Sequence, residues 1–220
     1  MSKITLSKPV LLYLYGYPGA GKTHFARQFC ERVNAAHVHS DRIRYELFEE
    51  PRFDSQENKI VEQITNYIGG EFMDASLSVV YDMNAATLAE RRRLRDMARK
   101  ENVQPVLIWF QVDADTAFNR STKRDKRRAD DKYSASLDRN TFKSIASRMR
   151  NPERTEDYIV ISGKHTFDTQ FSAVIRKLYE QGLVKQDEAS KKIVKPGMVN
   201  LVPNLQAGRV NNSRRNIFIR

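Results

Sequence analysis

Cysteine is nearly absent: Cys30 is the only one among 220 residues. A single thiol cannot make an intramolecular disulfide, and it cannot build a zinc site. It fits a reducing, cytoplasmic setting and the role of a small buried hydrophobe. Long apolar runs are missing too. The longest, Val10 to Tyr15, is strand-sized and far short of the ~18–20 residues a membrane helix needs. Lys3 and Lys8 stand near the N-terminus without a following apolar stretch, so no secretory leader is expected. Histidine is sparse: His24, His37, His39 and His165. His37 and His39 alternate along an expected strand, and no carboxylate joins them at ligand spacing. A surface or core role is therefore expected for them rather than a metal site. Finally, no acidic residue occurs between Ala189 and Arg220.

What is present is basic charge. Lys and Arg number 38 against 27 Asp and Glu, a formal net charge of +11. Such an excess suits a polyanionic partner or substrate, such as nucleic acid or nucleotide; a merely solvated basic surface is the other explanation. Hydrophobic residues make up 40% and charged residues 30%, a globular balance with much surface charge. The length allows one α/β domain with a tail.

Short apolar runs alternate with amphipathic stretches, the pattern of a parallel sheet covered by helices. Strands are expected at Val10–Tyr15, Ala36–His39, Ser78–Asp82, Val106–Val112 and Tyr158–Ser162. Helices are expected at Lys22–Val33, Arg42–Glu49, Gln56–Ser76, Thr87–Lys100, Ala114–Arg124, Asn140–Met149 and Phe167–Gln181, with Gly69-Gly70 kinking or breaking the third. The charged stretch Asp125 to Leu137 reads as a mobile flap. Residues 186–220 carry Lys191, Lys192, Lys195, Arg209, Arg214, Arg215 and Arg220, interrupted by Pro196, Gly197, Pro203 and Gly208. This tail is expected to be extended, either as a plain terminus or as an arm for nucleic acid or an acidic partner.

The sharpest signal is Gly16-Tyr17-Pro18-Gly19-Ala20-Gly21-Lys22-Thr23, a G-x-x-x-x-G-K-[ST] phosphate loop. An apolar strand precedes it and an amphipathic helix follows. Its glycines let backbone amides cradle a phosphate, and the helix N-terminus at Lys22 adds its dipole. Lys22 is expected to reach the β- and γ-phosphates of ATP, and the Thr23 hydroxyl to ligate Mg²⁺. His24 follows directly and belongs to the same ATP-binding set. No Asp has a Gly three residues on, so a GTPase switch is excluded. Thr122-Lys123-Arg124-Asp125 imitates a guanine-reading motif but sits at a helix end rather than after a strand. Asp82-Met83-Asn84 ends a strand without the Glu that would activate water. Asp82 can serve the metal, directly or through water, and transfer to a hydroxyl is favoured over hydrolysis.

Asp41 and Arg44 follow the second strand, three residues apart on one helix face. Asp41 can accept a proton from an attacking hydroxyl, and Arg44 can clamp a substrate phosphate. The plainer possibility is that Asp41 only caps the helix and Arg44 lies on the surface. Arg120 and Arg124 lie one turn apart on the helix entering the charged segment, where they can stabilise transferring phosphate or simply be solvated.

The ordered set resembles the polynucleotide 5′-hydroxyl kinase branch of small P-loop kinases, related to zeta-toxin-type kinases and, more widely, to AAA-family ATP-binding proteins. The set is the phosphate loop, Asp41-x-x-Arg44, Asp82-Met83-Asn84 and Arg120-x-x-x-Arg124, followed by a lid helix. The resemblance spans about Val10 to Gly163. It implies a three-layer α/β P-loop fold with a five-stranded parallel sheet in the order 2-3-1-4-5. It implies a kinase domain over residues 1–185, a helical lid at about 120–150 and the basic tail beyond. It also implies Asp41 as general base, Arg44 as holder of a substrate phosphate, and Arg120 and Arg124 on ATP phosphates. The expected acceptor is a nucleic-acid 5′-hydroxyl. The alternatives are a small phosphorylated molecule or nucleotide sugar, and a non-catalytic ATP-binding regulator. Nothing in the sequence points to a membrane partner or fixes an oligomeric state.

Overall fold

A computed structural model describes residues 3–129 and 131–185; the basic tail lies outside the described residues. Its five strands are β1 (Val10–Tyr15), β2 (Ala36–His39), β3 (Val79–Asn84), β4 (Gln104–Gln111) and β5 (Tyr158–Ser162). They form one parallel sheet in the order β2-β3-β1-β4-β5. The central strand β1 is buried at every residue, as an unbroken Val-Leu-Leu-Tyr-Leu-Tyr run between two helical layers requires.

The helices are α1 (Lys22–Arg32), α2 (Ser40–Leu47), α3 (Ser55–Asp74), α4 (Leu88–Lys100), α5 (Ala114–Thr122), α6 (Arg139–Arg148) and α7 (Phe167–Glu180). Alternate residues of β1 feed two cores. Leu12 and Leu14 pack with Phe25 and Phe29 of α1 and with Phe171 and Val174 of α7. Leu11 and Tyr13 pack with Met73 of α3 and with Leu94 and Ala98 of α4. Local signals set the ends. Asp54, Thr87, Asp113 and Asp138 each accept an amide hydrogen bond at a helix start, and Thr87 with Glu90 closes a reciprocal capping box.

Three expectations need correction. Gly69-Gly70 does not break α3, which runs unbroken through both. Gly69 is there for clearance, since a Cβ would lie 3.2 Å from the ring of Tyr81. β3 continues past Asp82 to Asn84, and a register shift against β1 falls between Tyr13 and Leu14. The segment between α5 and α6 is not a free flap here. Its Tyr133 ring packs against His39 and Tyr45, and Lys126 sits over Tyr45. Among the described residues no helix is long and apolar enough to cross a membrane.

Candidate functional site

The phosphate loop leaves β1 at the C-terminal edge of the sheet and enters α1 at Lys22. Gly19 has a φ of 84°, and a Cβ there would fall 2.2 Å from the carbonyl oxygen of Ala117, so no other residue fits. Gly21 is the helix N-cap in a left-handed conformation and supplies no side-chain acceptor. The first amides of α1 are thus left for an anion. Gly163, just after β5, abuts the same loop: its Cβ would lie 2.6 Å from the carbonyl oxygen of Ala20. The Lys22 ammonium donates to the carbonyls of Gly16 (2.7 Å) and Tyr17 (3.0 Å). Burial lowers its pKa to about 8, partly offset by Asp82.

A cavity of about 1150 Å³ opens over this loop. Pro18, Gly19, Gly21, Lys22, Thr23, His24, Asp41, Arg44, Asp82, Arg120 and Arg124 all line it. Ala20 is buried beneath, and Gly16 faces a smaller neighbouring cavity.

The end of β3 ties the loop to the second strand. The Thr23 hydroxyl donates to Oδ1 of Asp82 at 3.3 Å. The side chain of Asn84 accepts from the Gly16 amide at 3.2 Å, a placement that follows from the register shift. On the other side of Asp82, Oδ2 lies 3.1 Å from Nε2 of His37 and 3.6 Å from Nε2 of His39. The carboxylate that the sequence seemed to deny these histidines comes from the neighbouring strand, because the register sets His39 opposite Asp82. Burial pushes the Asp82 carboxyl upward, but the His37 hydrogen bond and the neighbouring His39 and Lys22 outweigh it and hold it below the usual range.

Asp41 sits in the first turn of α2, where His39 and not Asp41 is the N-cap. Among the described residues its carboxylate accepts no hydrogen bond, and burial raises its pKa against the pull of His39, Arg44 and Arg124. Arg44 is buried rather than on the surface. Its guanidinium pairs with Glu57 and donates to Asn58 at 2.7 Å, which fastens α2 to α3; its Nε finds no hydrogen-bond partner among the described residues. From the lid side, Arg120 donates to the carbonyl of Gly163 at 2.7 Å. Arg124 is partly buried near Asp41 and Asp131, and burial lowers its pKa. Arg124 is half-buried, whereas Arg120 remains exposed apart from its hold on Gly163.

A sequence profile described as AAA domain matches residues 11–152. The chain belongs to the AAA domain family. No curated protein matches it. Solved structures share its fold. A gluconokinase from Sinorhizobium meliloti aligns with a TM-score of 0.56 at 13% identity, over 79% of this chain and 97% of that one. An APS kinase from Mycobacterium tuberculosis, in complex with AMPPNP and APS, gives 0.58 at 16% identity, over 78% and 98%. Chaetomium thermophilum Kti12, in complex with ADP-AlF3, gives 0.53 at 14% identity, over 74% and 98%.

The AAA domain match holds the loop, Asp41, Asp82, Arg124 and Arg91 but stops short of Glu156, which forms a buried ion pair with Arg91. Arg91 of α4 is fully buried and donates to both oxygens of Glu156 at 2.8 Å each. It also donates to the carbonyls of Ala85 and Arg150. In the sequence, Arg91 hides in the run Glu90-Arg91-Arg92-Arg93. Its helical phase with Leu94 and Ala98, both buried, was the signal that could have exposed it.

Proposed function

We propose that the chain is an ATP-dependent kinase that transfers the γ-phosphate to a hydroxyl. The observation that carries this reading is Asp41: a carboxylate that accepts no hydrogen bond among the described residues, its pKa raised by burial, in the same cavity as Lys22 and Arg124. A purely regulatory ATP binder has no use for a desolvated base at that place. Lys22 and the loop amides bind the β- and γ-phosphates, and Arg124 adds positive charge where phosphoryl transfer spreads negative charge. Arg120, anchored on Gly163, is placed to join it. Asp41 accepts the hydroxyl proton as the oxygen attacks phosphorus. The Thr23 hydroxyl and the Asp82 carboxylate, 3.3 Å apart at the loop, are a hard-oxygen pair suited to Mg²⁺, directly or through water. When bound, that ion neutralises phosphate charge.

For the acceptor, the Asp41-x-x-Arg44 spacing and the net charge of +11 support a nucleic-acid 5′-hydroxyl. A small-molecule acceptor has its own support. Arg44 is already engaged by Glu57 and Asn58, and the fold is shared with a gluconokinase and an APS kinase. Incubating the protein with γ-labelled ATP, Mg²⁺ and a panel of acceptors separates these. The panel holds a 5′-hydroxyl oligonucleotide, nucleotide sugars and simple sugars. Label on the oligonucleotide alone supports the first reading and label on a small molecule the second. No transfer to any acceptor, with ATP bound, favours a regulator.

A further inference from the structure

His37 and His39 project from the same face of β2, stacked with their ring planes 6° apart and their centroids 5.4 Å apart. Both Nε2 atoms aim at one oxygen, Oδ2 of Asp82, at 3.1 and 3.6 Å. The three ligand atoms lie within 4.8 Å of one another. Metal–ligand bonds of about 2.0–2.2 Å place neighbouring ligands about 3–3.5 Å apart, so only small side-chain rotations separate this cluster from a coordination face. His39 and Asp82 are buried, and His37 is only 23% exposed at its side chain. One histidine would be enough to orient the carboxylate; two nitrogens converging on one oxygen exceed that need.

The geometry points to a binding site for a divalent first-row transition-metal ion formed by His37, His39 and Asp82. Two imidazoles and one carboxylate make a borderline donor set that suits Zn²⁺ or Co²⁺, whereas Mg²⁺ and Ca²⁺ take oxygen donors. Three protein ligands leave further positions open. The site is separate from the phosphate loop and shares with it only Asp82, whose other oxygen faces Thr23. The carboxylate would therefore bridge this ion and the Mg²⁺ of the nucleotide. That coupling alone rests on the kinase reading; the binding of the ion does not.

The test uses the full-length protein without an affinity tag, stripped with chelator. Zn²⁺ binding is followed by equilibrium dialysis in excess Mg²⁺, and Co²⁺ binding by its visible d–d absorption. The expected result is one ion per chain, with affinity lowered at least about tenfold in His37→Gln and in His39→Gln, a loss no smaller than that of an outer-shell partner. Circular dichroism reports whether each variant is folded, and His37, the less buried of the two histidines, is the safer substitution. The His24→Gln/His165→Gln double variant removes the other two histidines and should bind the ion as the parent does. The proposal is overturned if the parent binds no ion at micromolar metal. It is equally overturned if a folded His37→Gln binds undiminished, or if binding is lost with His24 and His165 instead. Metal binding is read without phosphotransfer, so an inactive protein that still takes up Zn²⁺ would count against the kinase reading and for this site.

Discussion

Arg91 and Glu156 face each other through two parallel hydrogen bonds of 2.8 Å, deep between α4 and the segment that leads into β5. Arg95 adds a third bond to the same carboxylate at 2.8 Å. Burial alone would raise the Glu156 carboxyl; the Arg91, Glu153 amide and Arg95 bonds reverse this and bring it to about 2. Because the folded pKa lies below the unfolded one, the contribution is complete above the ordinary glutamate range and fades as pH falls toward 2. Glu156→Gln should cost roughly 3–5 kcal/mol at neutral pH, since it leaves Arg91 buried and unpaired. Urea unfolding at pH 7 and pH 3 checks both points: the parent should lose more stability on acidification than the variant.

Lys22→Ala should abolish phosphotransfer and weaken ATP binding, because the loop loses its only cation. Calorimetry measures the affinity and labelled ATP the turnover. Unchanged values in the variant would mean that the loop does not hold phosphate.

Asp41→Asn should lower the transfer rate by about 10²-fold or more while ATP binding stays near that of the parent. The base works when deprotonated and burial raises its pKa, so the rate should climb with pH through a range above that of an ordinary aspartate. Stability has the opposite sign. A raised carboxyl costs the folded state stability once it is ionised, so at pH 7 the variant should melt at the same temperature or higher. A slower and less stable Asn variant would mean that Asp41 braces α2 rather than taking a proton.

The glycine pair in α3 offers a matched comparison. A methyl at Gly70 meets nothing within 4 Å, so Gly70→Ala should stabilise by about 0.5–1 kcal/mol through helix propensity. At Gly69 it meets the ring of buried Tyr81, whose hydroxyl is tied to Asn66. That ring has little room to yield, and Gly69→Ala should destabilise by about 1–3 kcal/mol despite the same propensity gain. Thermal melts of the two variants should move in opposite directions.

Local pattern was enough for much of this fold. β1, β2 and β5 fall where their apolar runs begin and end, and the order of the five strands follows from the resemblance carried by the loop and its partners. Partnerships across the sheet were not legible. His37, His39 and Asp82 are far apart in the chain and meet only through the β2–β3 register. Gly69 looks like a helix breaker because the ring it accommodates belongs to another element. Arg91 passes for a surface charge because it sits in a charged run, with Glu90 before it and Arg92 and Arg93 after it. Arg44 was legible as functional in type, but its burial against Glu57 depends on how α3 packs, which the spacing of Asp41 and Arg44 does not encode.

For anyone wishing to redesign acceptor choice, the crowding around Gly19 and Gly163 divides the molecule into fixed and editable parts. Each glycine presses on a carbonyl from a distant stretch of chain, Ala117 for one and Ala20 for the other. A library that randomises either position, or shifts the backbone at its partner, would be spent mostly on misassembled nucleotide sites. Diversity is better placed across the Lys126–Ile145 stretch, which touches the cavity through Arg128, Asp131, Ser134 and Ile145 and meets neither of those two contacts.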